Sequence, residues 1–338
     1  MNILVLGGTK FLGRHLVEES LRRGHEVTIF TRGKTNADLF PEVEHLIGDR
    51  DGNLSSLIGR KWDAVIDTSG YVPRVVGQST AILASATSVY TFISSISVYK
   101  DFSTPGLTED AEVLKLEDET VEEVTGETYG ALKALCEEEV KKTFPDRHLI
   151  IRPGLIVGPH DPTDRFTYWP SRVGNGGEVL APDDPNTPVQ IIDVRDLASF
   201  IVQQLENKAV GTYHVTGPDE KLTLGELLEQ TKHELNAQTT FTWVPKSFLD
   251  QHDIKMWIDM PLYIPLGIGM DGFSAVNLDK SLGDGLSLRP IRETIVDTFK
   301  WSQTRDEQYT MQAGITKNKE QELLETWQKE KQMNIAPN

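Results

Sequence analysis

Short apolar runs alternate along the first half of the chain with segments whose apolar residues recur at helical spacing. Ile3-Leu4-Val5-Leu6 is an unbroken apolar run that ends in glycines, and residues 11–23 then carry Leu12, Leu16, Val17 and Leu21 near helical spacing. Val27-Thr28-Ile29-Phe30, Ala64-Val65-Ile66 and residues 89–93 repeat the run, the last after an alanine- and serine-rich helical stretch. A further run at 148–151 follows a helical segment holding Tyr129 and Lys133. Short apolar strands separated by helices predict βαβ units and a parallel sheet. Ligands on such sheets lie at the carboxyl ends of the strands, so chemistry is expected in the loops after these runs.

Beyond Arg152-Pro153-Gly154 the texture changes. Residues 158–188 are rich in proline, glycine, aspartate and aromatics, which predicts an excursion away from the sheet. Residues 189–192 and 212–215 read as strands again. Residues 219–338 hold helical pieces, loop-rich stretches at 261–272 and 283–290, and a terminal helix over 320–329 with Leu323, Leu324 and Trp327 on one face. The expected division is a sheet domain over 1–157 and 189–217, and a smaller discontinuous lobe over 158–188 and 218–338.

Composition narrows the classes. The 338 residues include 38% hydrophobic and 25% charged ones, enough for a sizeable core and against wholesale disorder. No apolar run approaches the roughly 20 residues of a membrane helix. No basic leader precedes Ile3, so a secretory signal is not expected and the cytoplasm is the expected location. A single cysteine, Cys136, excludes an internal disulfide and a cysteine-rich metal site. The net charge of −17 disfavours nucleic acid and anionic membrane as partners and leaves a small molecule as the expected one.

Gly7-Gly8-Thr9-Lys10-Phe11-Leu12-Gly13 joins the first strand to the first helix. A phosphate needs close backbone approach, free N–H donors and a helix N-terminus aimed at it, and this loop offers all three. An ordinary tight strand–helix turn is the alternative. The second strand ends in Phe30-Thr31-Arg32-Gly33-Lys34, without the carboxylate that would bind the ribose hydroxyls of NAD. Arg32 is suited instead to a 2′-phosphate, with Lys10 and Lys34 adding positive charge, so NADP(H) is favoured over NAD(H). Arg32 capping a turn in solvent is the alternative. Asp49, beside Arg50 after a third apolar stretch, is placed to accept a hydrogen bond from an adenine amino group.

Tyr129 and Lys133 stand at i and i+4, so both project from one helix face. An ammonium beside a phenol stabilises the phenolate, and a Tyr so tuned exchanges a proton with a substrate hydroxyl while hydride moves to or from nicotinamide. Ser94-Ser95-Ile96-Ser97 follows the strand at 89–93, where a substrate oxygen would be held between Ser95 and Tyr129. His160, Asp161 and Asp164 sit in a proline-interrupted loop without a further clear ligand, so no metal is expected. Cys136 reads as a buried helix residue.

Together GGTKFLG, FISSISVY, YGALKALCE, RPGLIVGP and IIDVRDLA resemble the extended short-chain dehydrogenase/reductases, the NAD(P)-dependent epimerase/dehydratase family. The tail from Val276 to Arg305 resembles the C-terminal lobe of sugar-nucleotide epimerases. The resemblance implies a Rossmann-type, doubly wound α/β sheet with a smaller C-terminal substrate lobe. It implies that Ser95 orients the substrate oxygen, Tyr129 is the acid/base and Lys133 binds nicotinamide ribose. It also implies that Asp49 and Arg50 touch adenine, Thr68-Ser69-Gly70 line the dinucleotide and Pro153 contacts the nicotinamide side. Relatives often pair through the Tyr/Lys helix, so a homodimer is plausible.

Departures from the family pattern bear on substrate. Lys10 replaces the middle glycine of GxxGxxG, as in a branch that includes chloroplast stem-loop RNA-binding proteins. Dehydratases carry Thr-Asp-Glu where this chain has Ser95-Ile96-Ser97, which argues against a sugar-nucleotide 4,6-dehydratase. Leu155 replaces the epimerases' diphosphate-binding Asn. Ser97, Leu155, His160 and Arg165 are the candidates for the substrate side, the last two equally suited to an ordinary polar lobe surface. The expected activity is a dehydrogenase, reductase or epimerase. The rival is a non-catalytic RNA-binding or redox-sensing regulator on the same fold.

Overall fold

The computed structural model describes residues 1–306 and 308–335, which form two compact units. The first holds residues 1–156, 191–217 and 276–288; the second holds 157–190, 218–275 and 289–338.

The first unit is built on seven parallel strands: β1 (Asn2–Leu6), β2 (Glu26–Thr31), β3 (Glu44–Ile47), β4 (Trp62–Asp67), β5 (Thr87–Ile93), β6 (His148–Pro153) and β7 (Gly211–Val215). Their order is β7-β6-β5-β4-β1-β2-β3. The chain steps outward from β1 to β3, then returns to the other side of β1 and steps outward again. At the end of β1, Leu6 is in register with Phe30 on one side and Asp67 on the other. That reversal opens a crevice at the carboxyl edge, the usual ligand position of a doubly wound sheet.

Successive side chains of a strand point to opposite faces, which explains the unbroken apolar runs. Ile3, Val5, Val27, Ile29 and Ile66 pack with Leu12, Leu16 and Val17 of helix α1 (Phe11–Arg22). Leu4, Leu6, Phe30, Val65 and Tyr90 pack with Val76 and Leu83 of α2 (Pro73–Leu83) and with Cys136 and Val140 of α3 (Tyr129–Thr143). A fourth helix, α4 (Val194–Glu206), brings Leu197, Phe200 and Ile201 to the α1 face.

Two expectations are corrected. Residues 276–288 belong to the sheet unit rather than to the lobe, because polar groups at the β7 edge claim them. Tyr213 donates its hydroxyl to Asp284 at 2.8 Å, Gln204 donates to the Asp284 carbonyl at 2.9 Å, and Asn277 N donates to the Leu107 carbonyl at 2.8 Å. The strand expected at 189–192 is two short pieces, Pro188–Val189 in the second unit and Ile191–Asp193 in the first.

The second unit contains a parallel strand pair, Gly177–Pro182 with Thr239–Val244, that periodicity did not reveal. Its terminal helix is longer than expected, Lys317–Ile335. Leu323 and Leu324 are buried, the Trp327 ring lies 5.0 Å from that of Phe248, and buried Glu320 accepts from Arg172 at 2.5 Å. No helix among the described residues is long and apolar enough to cross a membrane.

Candidate active site

The glycine loop has the geometry a diphosphate requires. Gly7 and Gly8 have φ of 113° and 105°, a region that L side chains rarely enter. A Cβ on Gly7 would lie 2.2 Å from Thr68 Oγ1, and one on Gly13 would lie 2.5 Å from the Gly8 nitrogen. The first turn of α1 is thus pressed onto the loop backbone, with the helix N-terminus open beyond Lys10. Thr9 and Leu12 are buried beneath it, and Phe11 turns the chain at φ 39°. Gly7 N donates to the Phe30 carbonyl, and Thr68 donates both its N–H and its hydroxyl to the Leu6 carbonyl, so the ends of β1, β2 and β4 are tied together. This close packing of loop, strand ends and helix N-terminus, which a Cβ on Gly7 or Gly13 would push apart, fits a bound dinucleotide.

Arg32, Lys34 and Lys10 are exposed, and their side chains make no hydrogen bond or ion pair with the described residues. Asn36 Nδ2 donates to the Thr9 carbonyl at 2.7 Å, which holds the loop after β2 against the glycine loop. Asp49 spends one carboxylate oxygen on Asp51 N, in a turn closed by two 2.9 Å backbone bonds with Asn53.

Arg50 points inward. Its guanidinium grips Asp67 through two bonds of 2.6 and 2.7 Å and also donates to Ser69 and Ser79. Asp67, the last residue of β4, is fully buried and accepts further bonds from Tyr90 OH (2.7 Å) and Ser69 N (3.1 Å). Burial, then the Asp67 charge, pushes the Tyr90 phenol well up, so it stays a donor. Arg50 therefore fixes the Thr68–Gly70 loop from below, with four of its five N–H donors bonded within the protein. The family resemblance implies an adenine contact for Arg50, and Asp67 is not among the residues the sequence pattern singles out. A carboxylate closing an otherwise apolar strand was the available signal, because a buried charge must find a partner.

At the reaction end, Ser95 caps the short turn Ile96–Val98 by accepting from Ser97 N at 3.0 Å. Its own hydroxyl proton remains available to a substrate oxygen. Tyr129 is the first residue of α3, half-buried. Next to it, a Cβ on Gly130 would meet the Ser97 carbonyl at 2.1 Å, so only glycine lets the helix start this close to the serine turn. Lys133 is 3% exposed and donates to the carbonyls of Gly70 (2.7 Å) and Ile93 (2.5 Å), at the ends of β4 and β5. Burial pushes its pKa down to about 8. Ser95, Ser97, Tyr129, Lys133 and the Thr68–Gly70 loop thus meet at one edge, joined to the glycine loop through Thr68. Cys136 is buried, and its thiol is pushed up to about 12 by burial.

Behind this edge runs a buried polar chain that sequence reading missed. Ser94 donates to Glu137 at 2.6 Å; Glu137 takes two bonds from Arg152, at 2.8 and 2.6 Å; Arg152 donates to Tyr99 OH at 2.7 Å. Tyr99 OH meets His214 Nε2, and His214 Nδ1 lies 3.0 Å from the Asn277 carbonyl. Burial raises the Glu137 carboxyl, but the bonds and charge of Arg152 outweigh it and hold the group below its usual range. Burial keeps His214 below its ordinary value and pushes Tyr99 up to about 12.

Pro153 is buried at the end of β6, in register with Val215, and Leu155 is half-buried two residues on. His160 and Arg165 lie in the second unit, His160 with its ring 5.3 Å from Trp301 and Arg165 with its guanidinium 5.5 Å from Trp257.

The sequence profile of the NAD dependent epimerase/dehydratase family matches residues 3–216. Among curated proteins, the chain is 29% identical over 236 residues to the chloroplast stem-loop binding protein of 41 kDa b of Arabidopsis thaliana, a match covering 61% of this chain and 55% of that protein. The chain thus spans about half the length of that relative. Among solved structures, UDP-glucuronic acid 4-epimerase from Bacillus cereus, in complex with UDP-glucuronic acid and NAD, superposes with a TM-score of 0.66 at 15% identity, over 90% of this chain and 99% of that one. The dTDP-glucose 4,6-dehydratase from Bacillus anthracis, in complex with NAD, gives 0.64 at 15% identity, over 91% and 98%. At such identities the structures speak for a shared fold alone.

Proposed function

The chain belongs to the NAD dependent epimerase/dehydratase family, and on that premise we propose that it moves hydride between a nicotinamide dinucleotide and a secondary alcohol or ketone carbon of a small, sugar-like substrate. The observation that supports this reading is the close seating of α3 on the serine turn: Gly130, next to Tyr129, packs on the Ser97 carbonyl, two residues after Ser95, and Lys133 lies one turn further along the helix. The Ser95 hydroxyl donates to the substrate oxygen, and Tyr129 takes or returns the proton on that oxygen. Lys133, held by two carbonyls, keeps positive charge close to the Tyr129 end of the helix. The bound dinucleotide supplies the hydride acceptor or donor.

Within this reading the dinucleotide is NADP(H). The uncommitted cations Lys10, Arg32 and Lys34 and the absence of a carboxylate at the end of β2 support that choice, although both solved neighbours hold NAD. A 4,6-elimination is disfavoured because Ser95-Ile96-Ser97 offers no carboxylate pair. The test is mass spectrometry of nucleotide released from the purified protein, followed by titration with NADPH and NADH. NADPH should bind at micromolar levels and more tightly than NADH, and Arg32→Ala should cost about tenfold for NADPH alone. Failure to bind either refutes the proposal. The stem-loop binding relative favours a second reading, a nucleic-acid-binding protein; RNA affinity that falls steeply with salt would establish it.

A further inference from the structure

We infer that Tyr71 is a positioning residue of this site: its ring is the cover that keeps water from the Lys133 ammonium. The ammonium is enclosed by four groups, the carbonyls of Gly70 and Ile93 and the ring faces of Phe92 and Tyr71, at 4.2 and 5.2 Å from the ring centroids. Phe92 is wholly buried, whereas Tyr71 is 48% exposed. Of the two rings over the ammonium, Tyr71 is therefore the one that stands between it and solvent. The same ring lies 6.5 Å from that of Tyr129, so it borders both members of the proposed pair.

The loop holds the ring in place at both ends. A Cβ on Gly70 would stand 2.5 Å from the Phe92 ring and 2.8 Å from Val76, so the backbone before Tyr71 is seated against the sheet face. Val72 and Pro73 begin α2 immediately after it. A cation between two aromatic faces remains attracted to them after losing water, so this cover admits the charge while excluding solvent. The other titratable or charged groups facing Lys133 are Asp67 on β4, Arg50 after β3, and Cys136 and Glu137 on α3, with Tyr129 one turn away. Asp67 and Glu137 are already bonded to arginines, which leaves solvent access as the variable that Tyr71 controls.

The inference rests on the reading of Tyr129 and Lys133 as the reacting pair, but its test needs neither substrate nor turnover. The full chain carrying 13Cε-labelled lysine is titrated by NMR, with Lys133→Met identifying the signal. Lys133 should titrate near pH 8 in the native protein. Tyr71→Phe should leave the midpoint in place, and Tyr71→Ala should raise it by about one unit or more towards the ordinary lysine value, roughly a tenfold change in the protonation equilibrium. A midpoint in the alanine variant within about 0.3 unit of the native one overturns the inference. Should that variant not fold, Tyr71→Gln, which keeps bulk but brings a hydrated amide, must show the same rise. NADPH titration of the same samples separates the two claims: a native protein that ignores nucleotide sinks the functional reading and leaves the midpoints to decide the role of Tyr71.

Discussion

Replacing Asp67 by Asn removes one charge from the floor of the proposed dinucleotide crevice and keeps its shape. The native carboxylate is fully buried and serves Arg50 twice, Tyr90 once and Ser69 N once, while the Arg50 side chain is 10% exposed. Breaking a buried pair by neutralising one member costs about 3–5 kcal/mol, because the other charge is left uncompensated. The new amide also turns an NH2 group towards donors, an unmet contact of about 1–3 kcal/mol. Taking about 3 kcal/mol as the floor, and about 2–4 °C per kcal/mol for a domain of this size, the melting temperature should fall by about 6–12 °C. NADPH affinity should fall as well, since Ser69 N loses the anchor that sets the Thr68–Gly70 loop. Differential scanning calorimetry and NADPH titration read the two effects. An apolar pair, Arg50→Met with Asp67→Leu, should recover most of the stability, as buried ion pairs replaced together often do. A drop below about 2 °C for Asp67→Asn would refute the view that this pair is committed to the fold.

Tyr129→Phe should lower turnover by about 10²–10⁴-fold once a substrate is in hand, with NADPH binding retained; near-native turnover would remove Tyr129 from the acid/base role. Gly13→Ala, whose methyl would stand 2.5 Å from Gly8 N, should weaken NADPH binding by at least about tenfold, and an unchanged titration would count against the loop as the diphosphate site. His214 and Glu137 both have lowered values in the fold, so each contributes stability above its unfolded value and loses it as pH falls. The urea midpoint should therefore decline from about pH 6.5 downwards, and more steeply below about pH 4.3. His214→Gln should flatten the first part of that decline, and an unchanged profile would show that His214 does not carry it.

The sheet was legible because strands buried on both faces are mostly unbroken apolar runs, with the polar residues Asp67, Arg152 and His214 towards their carboxyl ends. The proposed site loops were placed by the same pattern, since a doubly wound sheet puts its ligand-facing loops at one edge. The inward bonds of Arg50 are not legible in the sequence because its partners stand 17 and 19 residues away, at Asp67 and Ser69, where no local spacing connects them. The chain from Ser94 through Glu137, Arg152 and Tyr99 to His214 escaped for the same reason: it joins three strand ends, the serine turn and a helix, each polar residue looking like an isolated exception in its own segment. Tyr71 gave no pattern either, and only the seating of Gly70 on Phe92 and Val76 sets its direction. Residues 276–288 read as part of a loop-rich tail because the groups that claim them, Tyr213 and Gln204, lie on the far side of the second unit in sequence.

The twofold return of the chain to the sheet unit has a consequence for how the protein is born. A ribosome releases residues 1–156 long before β7, and residues 276–288 later still. Until then the nascent sheet ends in β6 with an unpaired edge, a surface open to other chains. Completion of the sheet is thus timed by the synthesis of the second unit, whose segments are threaded between those of the first. A message truncated anywhere between codons 157 and 210 yields six strands and a sticky border, and such fragments should partition with chaperones or into aggregates rather than persist as a small stable domain.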